Sequence, residues 1–79
     1  MAGVFRTDYI ELKKIMAEKE IKTVKELSEK SGVNRNTLAD VLNGKAQPSS
    51  DVMQKLVIAL EIAPEKAGSI FFNRNLRIA

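Results

Sequence analysis

Four residues between positions 35 and 40 carry side chains suited to reading the edges of DNA bases. They are Arg35, Asn36, Ala39 and Asp40, and they share one face of a helix at about 100° per residue. Arginine can donate two hydrogen bonds to guanine, asparagine can pair with adenine, and aspartate can accept from the amino group of cytosine. The small Ala39 would let the helix backbone approach closely. This face is therefore predicted to contact bases in the major groove of double-stranded DNA.

An ordinary solvated surface is the alternative interpretation of these residues. The net charge is +3, the pI is about 9.4, and acidic and basic residues alternate along most of the chain. Such a charge permits a polyanionic partner without requiring one. Two other roles are open to Asp40, because it could hold Arg35 in position or repel unsuitable base sequences. The prediction of base reading therefore depends on the spacing of the side chains and not on net charge.

Polar groups around this face are suited to the DNA phosphates. The start of the preceding helix offers backbone N–H groups and the positive end of a helix dipole. Contacts of this kind set the register of a protein on DNA and do not read its sequence. The residues predicted to contact the DNA backbone are Thr23, Asn34, Thr37, Asn43, Lys45 and Gln47. By contrast, Lys13, Lys14 and Lys19 are predicted to be only the solvated side of the first helix.

Five short helices are predicted to position these side chains in one compact all-α domain that spans residues 1–79. Between the glycines and prolines the apolar spacing is helical, and good N-cap residues precede four of the segments. The predicted helices run from Tyr9 to Lys19, from Val24 to Lys30, from the cap Asn34 to Asn43, from Ser50 to Glu61, and from Pro64 to Phe71 or Phe72. Helices this short are not stable alone, so their apolar stripes must pack together.

The second and third predicted helices form a sharp corner. Leu27 on one helix and Leu38 on the other can share a core only if the two helices cross about the turn at Gly32 and Val33. A sharp crossing at a short glycine-containing turn is the geometry of a helix-turn-helix, here predicted over residues 23–43.

Composition excludes several functional classes. With no cysteine and no histidine, the chain can form neither a disulfide nor a usual zinc site. No apolar run approaches the ~18 residues of a membrane span, and no signal peptide is apparent, so a cytoplasmic protein without a membrane partner is predicted. No pair of acidic residues suggests a shielded catalytic pocket. We therefore predict no catalytic residue, no metal and no cofactor.

The C-terminal tail, residues 72–79, allows two interpretations. In one, an apolar patch is filled by a second subunit, and the predicted dimer contacts are Ile70, Phe72, Leu76 and Ile78. In the other, Phe71 closes the core and the residues after it fray.

The run from Thr23 to Leu60 resembles the DNA-binding domain of the Cro/CI-type (XRE-like) helix-turn-helix regulators. The matching features are Thr23-x-x-x-Leu27-Ser28, Gly32-Val33-Asn34, Leu38, Asn43-Gly44-Lys45, Pro48-Ser49 and the spaced Leu56, Ala59 and Leu60. The resemblance implies a lambda-repressor-like five-helix domain that binds operator DNA as a two-fold dimer and regulates transcription. It also places Arg35, Asn36 and Asp40 at base-reading positions, and Asn43 and Lys45 in a backbone-contacting loop.

Four positions depart from the pattern of the family. Val24 stands where a glutamine often grips a phosphate, and Ser28 stands where alanine is common. Many members pair an arginine on the first helix with a glutamate late in the third, and Met16 and Leu42 stand at the matching places. An apolar contact would then replace an ion pair, which costs little when the packing is good.

The resemblance implies a Cro-like phage or prophage repressor, or a bare operator-binding regulator. A complete chain of this length would leave no room for an effector-binding domain, so no small-molecule effector is expected. The alternative is an antitoxin that blocks a protein toxin and binds its own promoter, although the chain lacks a long segment that could wrap a partner.

Overall fold

The computed structural model describes residues 7–72, and this part of the chain folds into five α-helices without a strand. They are α1 (Tyr9–Glu18), α2 (Val24–Ser31), α3 (Arg35–Leu42), α4 (Ser50–Leu60) and α5 (Pro64–Phe71). The all-α, five-helix prediction is confirmed, and the predicted helix ends lie within about one residue of the observed ones. None of these helices is long and apolar enough to cross a membrane.

The polar side chains before the helices cap them as the sequence predicts. Before α2, the hydroxyl of Thr23 accepts from the N–H of Glu26 at 3.1 Å, and the Glu26 carboxylate accepts from the N–H of Thr23 at 3.2 Å. This reciprocal pair is a capping box, and each side satisfies a backbone donor that the helix itself leaves without a partner. The other side-chain caps are Asp8 before α1, Asn34 before α3 and Ser49 before α4.

Two glycines with positive φ end the helices of the sharp corner. Gly32 has φ 78°, and its N–H donates to the carbonyl of Ser28 at 2.8 Å, which closes α2. Gly44 follows α3 with φ 77°. A side chain at either position would be strained in this left-handed conformation. At Gly44 a Cβ would also lie 2.9 Å from Cε2 of Tyr9, so the loop passes directly over the tyrosine ring.

The core lies where the apolar stripes of the five helices meet. The stripe of each predicted helix contributes to one buried cluster, and Leu38 is fully buried on the inner side of α3. Burial of each large aliphatic side chain stabilises the fold by roughly 1.5–3 kcal/mol. Met16 and Leu42 both belong to this cluster, as expected for apolar residues in place of an ion pair. Other members include Leu12, Ile15, Leu27, Val33, Val41, Leu56, Leu60, Ile70 and Phe71.

Serine hydroxyls hold the corner between α2 and α3. The hydroxyl of Ser28 donates forward to the carbonyl of Val33 at 2.6 Å. The hydroxyl of Ser31 instead donates back to the carbonyl of Leu27 at 2.7 Å, and it accepts from the N–H of Val33 at 3.2 Å. These bonds fix the path of the turn, and they therefore fix the direction in which α3 leaves it.

A second set of hydrogen bonds joins segments that are distant in sequence. The hydroxyl of Thr7 donates to Oε1 of Gln47 at 2.8 Å, and Nε2 of Gln47 donates to the carbonyl of Phe71 at 2.6 Å. The N–H of Asp8 donates to the carbonyl of Ile70, also at 2.6 Å. We call Thr7, Gln47 and the end of α5 the Gln47 node. It ties the segment before α1 and the loop after α3 to the last turn of α5.

Candidate nucleic-acid interface

The two sides of α3 differ sharply in exposure. Leu38, Val41 and Leu42 face the core and are between 0 and 5% exposed. Arg35, Asn36 and Asp40 are exposed, and Ala39 between them is half-buried. We call these last four residues the α3 face. The predicted base-reading residues therefore lie together on the solvent side of one helix, with a small residue in the middle.

No ion pair within residues 7–72 neutralises the charged groups of the α3 face. Within residues 7–72, neither Arg35 nor Asp40 takes part in an ion pair, so Asp40 does not hold Arg35 in this conformation. The main chain of Asp40 has a structural role, because its carbonyl accepts from the N–H of Lys45 at 2.8 Å and from that of Ala46 at 3.3 Å. The loop carrying Lys45 is therefore folded against the end of α3, and its lysine is exposed beside the α3 face.

The cap of α3 leaves donors that could reach a phosphate. Oδ1 of Asn34 accepts from the N–H of Asn36 at 2.8 Å, and this uses the acceptor of the side chain but not its NH₂ group. Asn34, Thr37 and Asn43 are all exposed along the edges of the α3 face. Their side chains can donate to an approaching anion without any loss of the bonds that shape the helix.

The start of α2 is a weaker anion site than the sequence suggests. The Glu26 carboxylate accepts from the N–H of Lys22 at 2.6 Å as well as from that of Thr23, so the protein already places a negative group there. Among the described residues, no acceptor takes the hydroxyl hydrogen of Thr23 or the N–H groups of Val24 and Lys25. These donors therefore remain available to an anion.

The sequence of this chain matches a known family over most of the described structure. Residues 11–66 match the Cro/C1-type helix-turn-helix DNA-binding domain, and this range includes most of α1, all of α2 to α4 and the start of α5. The chain belongs to this family. It is therefore a DNA-binding domain of the kind found in regulators, which confirms the resemblance carried by the corner and the loop after α3. No curated protein and no solved structure matches the chain significantly.

In this Cro/C1-type domain, Gln47 differs from the other predicted backbone contacts. Both polar atoms of its amide are already engaged within the Gln47 node, with Thr7 and with the carbonyl of Phe71. A phosphate contact by Gln47 stays a prediction, whereas its stabilising role is visible in the structure. No sequence signal pointed to that role, because its partners lie 40 and 24 residues away along the chain.

The predicted dimer contacts of the Cro/C1-type domain divide into three cases. Ile70 is 1% exposed and belongs to the core, so its prediction as part of an exposed patch is wrong in this conformation. The reason is that the last turn of α5 points Ile70 and Phe71 inward together. Phe72 is 49% exposed, and Leu76 and Ile78 lie outside the described residues.

An apolar groove between α4 and α5 was missed at the sequence level. It has a volume of about 320 Å³, its floor includes Val57 and Ala67, and Phe72 and Ile58 lie at its edge. Ile58 is 77% exposed, the most exposed of the large apolar side chains in residues 7–72. The sequence did contain a signal, because at about 100° per residue Ile58 lies on the opposite side of α4 from Leu56 and Leu60.

The three lysines that form ion pairs within residues 7–72 all lie outside α3. Lys19 pairs with Glu61 at 2.9 Å, and the hydrogen bond and positive charge from Lys19 lower the pKa of the Glu61 carboxyl, with a smaller effect of the charge of Lys30. On α4, Lys55 pairs with Asp51 at 3.1 Å. Lys66 on α5 pairs in the same way with a carboxylate of α1, also at 3.1 Å. The described basic residues without such a pair include Lys13, Lys22, Arg35 and Lys45.

Proposed function

We propose that this protein is a sequence-specific transcriptional regulator, a Cro/C1-like repressor that reads an operator in the major groove with α3. The observation that supports this most directly is the α3 face itself. Arg35, Asn36 and Asp40 are exposed side by side, the two charged residues form no ion pair within residues 7–72, and the opposite side of the helix is anchored in the core. A rigid helix with a polar outer face and a small central residue fits the wide groove of B-form DNA.

In this proposal the polar groups around the α3 face hold the DNA backbone. Asn34, Thr37 and Asn43 donate from the edges of the helix, Lys45 supplies charge from the loop, and Thr23 contributes its hydroxyl at the start of α2. These contacts are independent of sequence, so specificity comes from Arg35, Asn36, Asp40 and the approach that Ala39 permits. Gln47 joins them only if its bonds within the node leave its amide accessible to a phosphate.

We further propose that the protein acts as a homodimer on DNA, in the cytoplasm, without a small-molecule effector and without catalysis. A dimer supports this function because two copies of α3 about 34 Å apart would read two half-sites one helical turn apart. The exposed Ile58 and Phe72 at the α4–α5 groove offer apolar surface for a second subunit, in place of the buried Ile70. Leu76 and Ile78 would extend that contact.

Selection from a pool of random duplexes with the purified protein tests the proposal. We expect enrichment of a two-fold symmetric site at low salt, because a symmetric dimer requires a symmetric operator. A double variant, Arg35→Ala with Asn36→Ala, is the matched control, and it should lose the enriched sequence while it stays folded. Absence of any enriched sequence, or of binding to mixed duplexes at low ionic strength, would contradict the proposal.

A further inference from the structure

A second groove borders the α3 face on the side of α1. It has a volume of about 610 Å³ and lies between α1, the start of α2 and α3. Its apolar lining includes Met16, Ile21 and Leu42, and the α3 side of the groove is formed by Ala39 and Asn43. Ala39 belongs to the α3 face and Asn43 caps the same helix. A duplex seated on α3 would therefore run beside this groove, which we call the α1–α3 groove.

Two lysines that form no ion pair with the described part of the chain line the α1–α3 groove. Lys13 of α1 is exposed, and its ammonium lies 5.6 Å from the centroid of the Tyr9 ring. Lys22 is exposed just before α2, and its ammonium forms no ion pair within residues 7–72. Glu20 is the acidic residue among the groove residues, so the charged side chains there leave a net positive charge.

The protein itself offers few groups at the start of α2 that could hold a phosphate. Val24 lines the same groove but has no polar atom in its side chain to hold an anion. The backbone N–H groups of Lys22 and Thr23 are occupied by the Glu26 carboxylate. The N–H groups of Val24 and Lys25 remain as donors at this corner, and lysine can add to them a point charge on a long, flexible stem.

We propose that Lys13 and Lys22 bind consecutive phosphates of the DNA strand that runs beside α3, with the α1–α3 groove leaving room for the sugar–phosphate backbone. This inference rests on the proposed function, and it assigns Lys13 a role where the sequence predicted only a solvated surface. By contrast, Lys55 on α4 is already paired with Asp51 within the protein.

The salt dependence of DNA binding tests this assignment. The affinities of the wild type, Lys13→Gln and Lys22→Gln are measured between low and moderate salt, for the selected operator and for an unrelated duplex. Each phosphate contact contributes roughly 0.9 to the slope of log K against log salt, so each variant should lose about one unit of slope on both duplexes. Lys55→Gln is the matched control and should keep the slope of the wild type. Lys13→Arg and Lys22→Arg keep the charge and should keep the slope as well.

The possible results separate this inference from the proposed function. If the wild type binds no duplex, both are overturned. If the wild type binds its selected operator but the two glutamine variants keep its slope, only the assignment of Lys13 and Lys22 is overturned. A loss confined to the operator would also overturn it, because phosphate contacts carry no sequence preference. Thermal unfolding of each variant confirms that folded proteins are being compared.

Discussion

The α3 face and the Gln47 node use similar polar side chains in opposite ways. On the α3 face, Arg35 and Asn36 are exposed, and their side chains have no hydrogen-bonding partner within residues 7–72. In the node, the amide of Gln47 is engaged through both its oxygen and its nitrogen by partners from the first and last segments of the described chain. Paired polar groups contribute to folding, whereas unpaired groups on a rigid surface are available to a ligand. Substitutions in the two regions should therefore change different measurements.

Arg35→Ala is expected to have the largest effect, and that effect should be on binding. Loss of a two-pronged contact with guanine should weaken operator binding by roughly 1–3 kcal/mol and relax the preference at one base pair. The free energy of unfolding should stay within about 0.5 kcal/mol, because the side chain is exposed and unpaired. Titration of the operator and its single-base variants measures the first quantity, and urea unfolding measures the second. An equal loss of affinity on every sequence would show that Arg35 touches only the backbone.

Gln47→Ala should give the converse result. The substitution removes two hydrogen bonds and leaves the carbonyl of Phe71 without its side-chain donor, so unfolding should become easier by roughly 1–2 kcal/mol. Gln54 is a matched control, because it is also an exposed glutamine but has no hydrogen bond through its side chain among the described residues. Gln54→Ala should change the unfolding free energy by less than about 0.5 kcal/mol. Equal stability of the two variants would show that the node is not stabilising.

The comparison also shows how far the sequence alone predicts this molecule. The caps Thr23 and Asn34 and the glycine Gly32 act within a few residues of themselves, so the helices and the corner could be predicted from local patterns. Because the outer side of α3 follows from the period of the helix, the residues of the α3 face could be predicted from the sequence in the same way. These features depend on spacing along one short segment.

Features that depend on distant segments could not be predicted in this way. The partners of Gln47 come from the two ends of the described chain, and no sequence pattern near Gln47 predicts them. The burial of Ile70 depends on how α5 packs on α1 and α4, so the sequence left it equally suited to a core or to an interface. The position of Lys13 beside the α1–α3 groove is likewise set by the packing of α1 against α3. In each case the tertiary arrangement decided between two chemically reasonable alternatives.

Lys45→Ala should weaken DNA binding modestly and equally on all sequences. The lysine is exposed in the loop beside α3, and loss of one phosphate contact should reduce the salt slope by about one unit. Lys55→Ala removes a lysine that is already paired with Asp51, so its slope should equal that of the wild type. An unchanged slope for Lys45→Ala would remove this residue from the proposed DNA interface.

Glu61→Gln should have the smallest effect, and its pH dependence reveals its cause. The hydrogen bond and the charge of Lys19 lower the pKa of Glu61 in the folded protein, so the ionised carboxylate favours folding. This contribution is fully present above the ordinary carboxyl pKa, and it is lost as the pH falls through the lower folded value. The variant should therefore unfold at a slightly lower temperature than the wild type at neutral pH, and the difference should disappear in acid. Lys19→Gln is the matched comparison, because it removes the other member of the pair and should converge with the wild type in acid in the same way. A difference between Glu61→Gln and the wild type that persists at low pH would mean that the ion pair is not its origin.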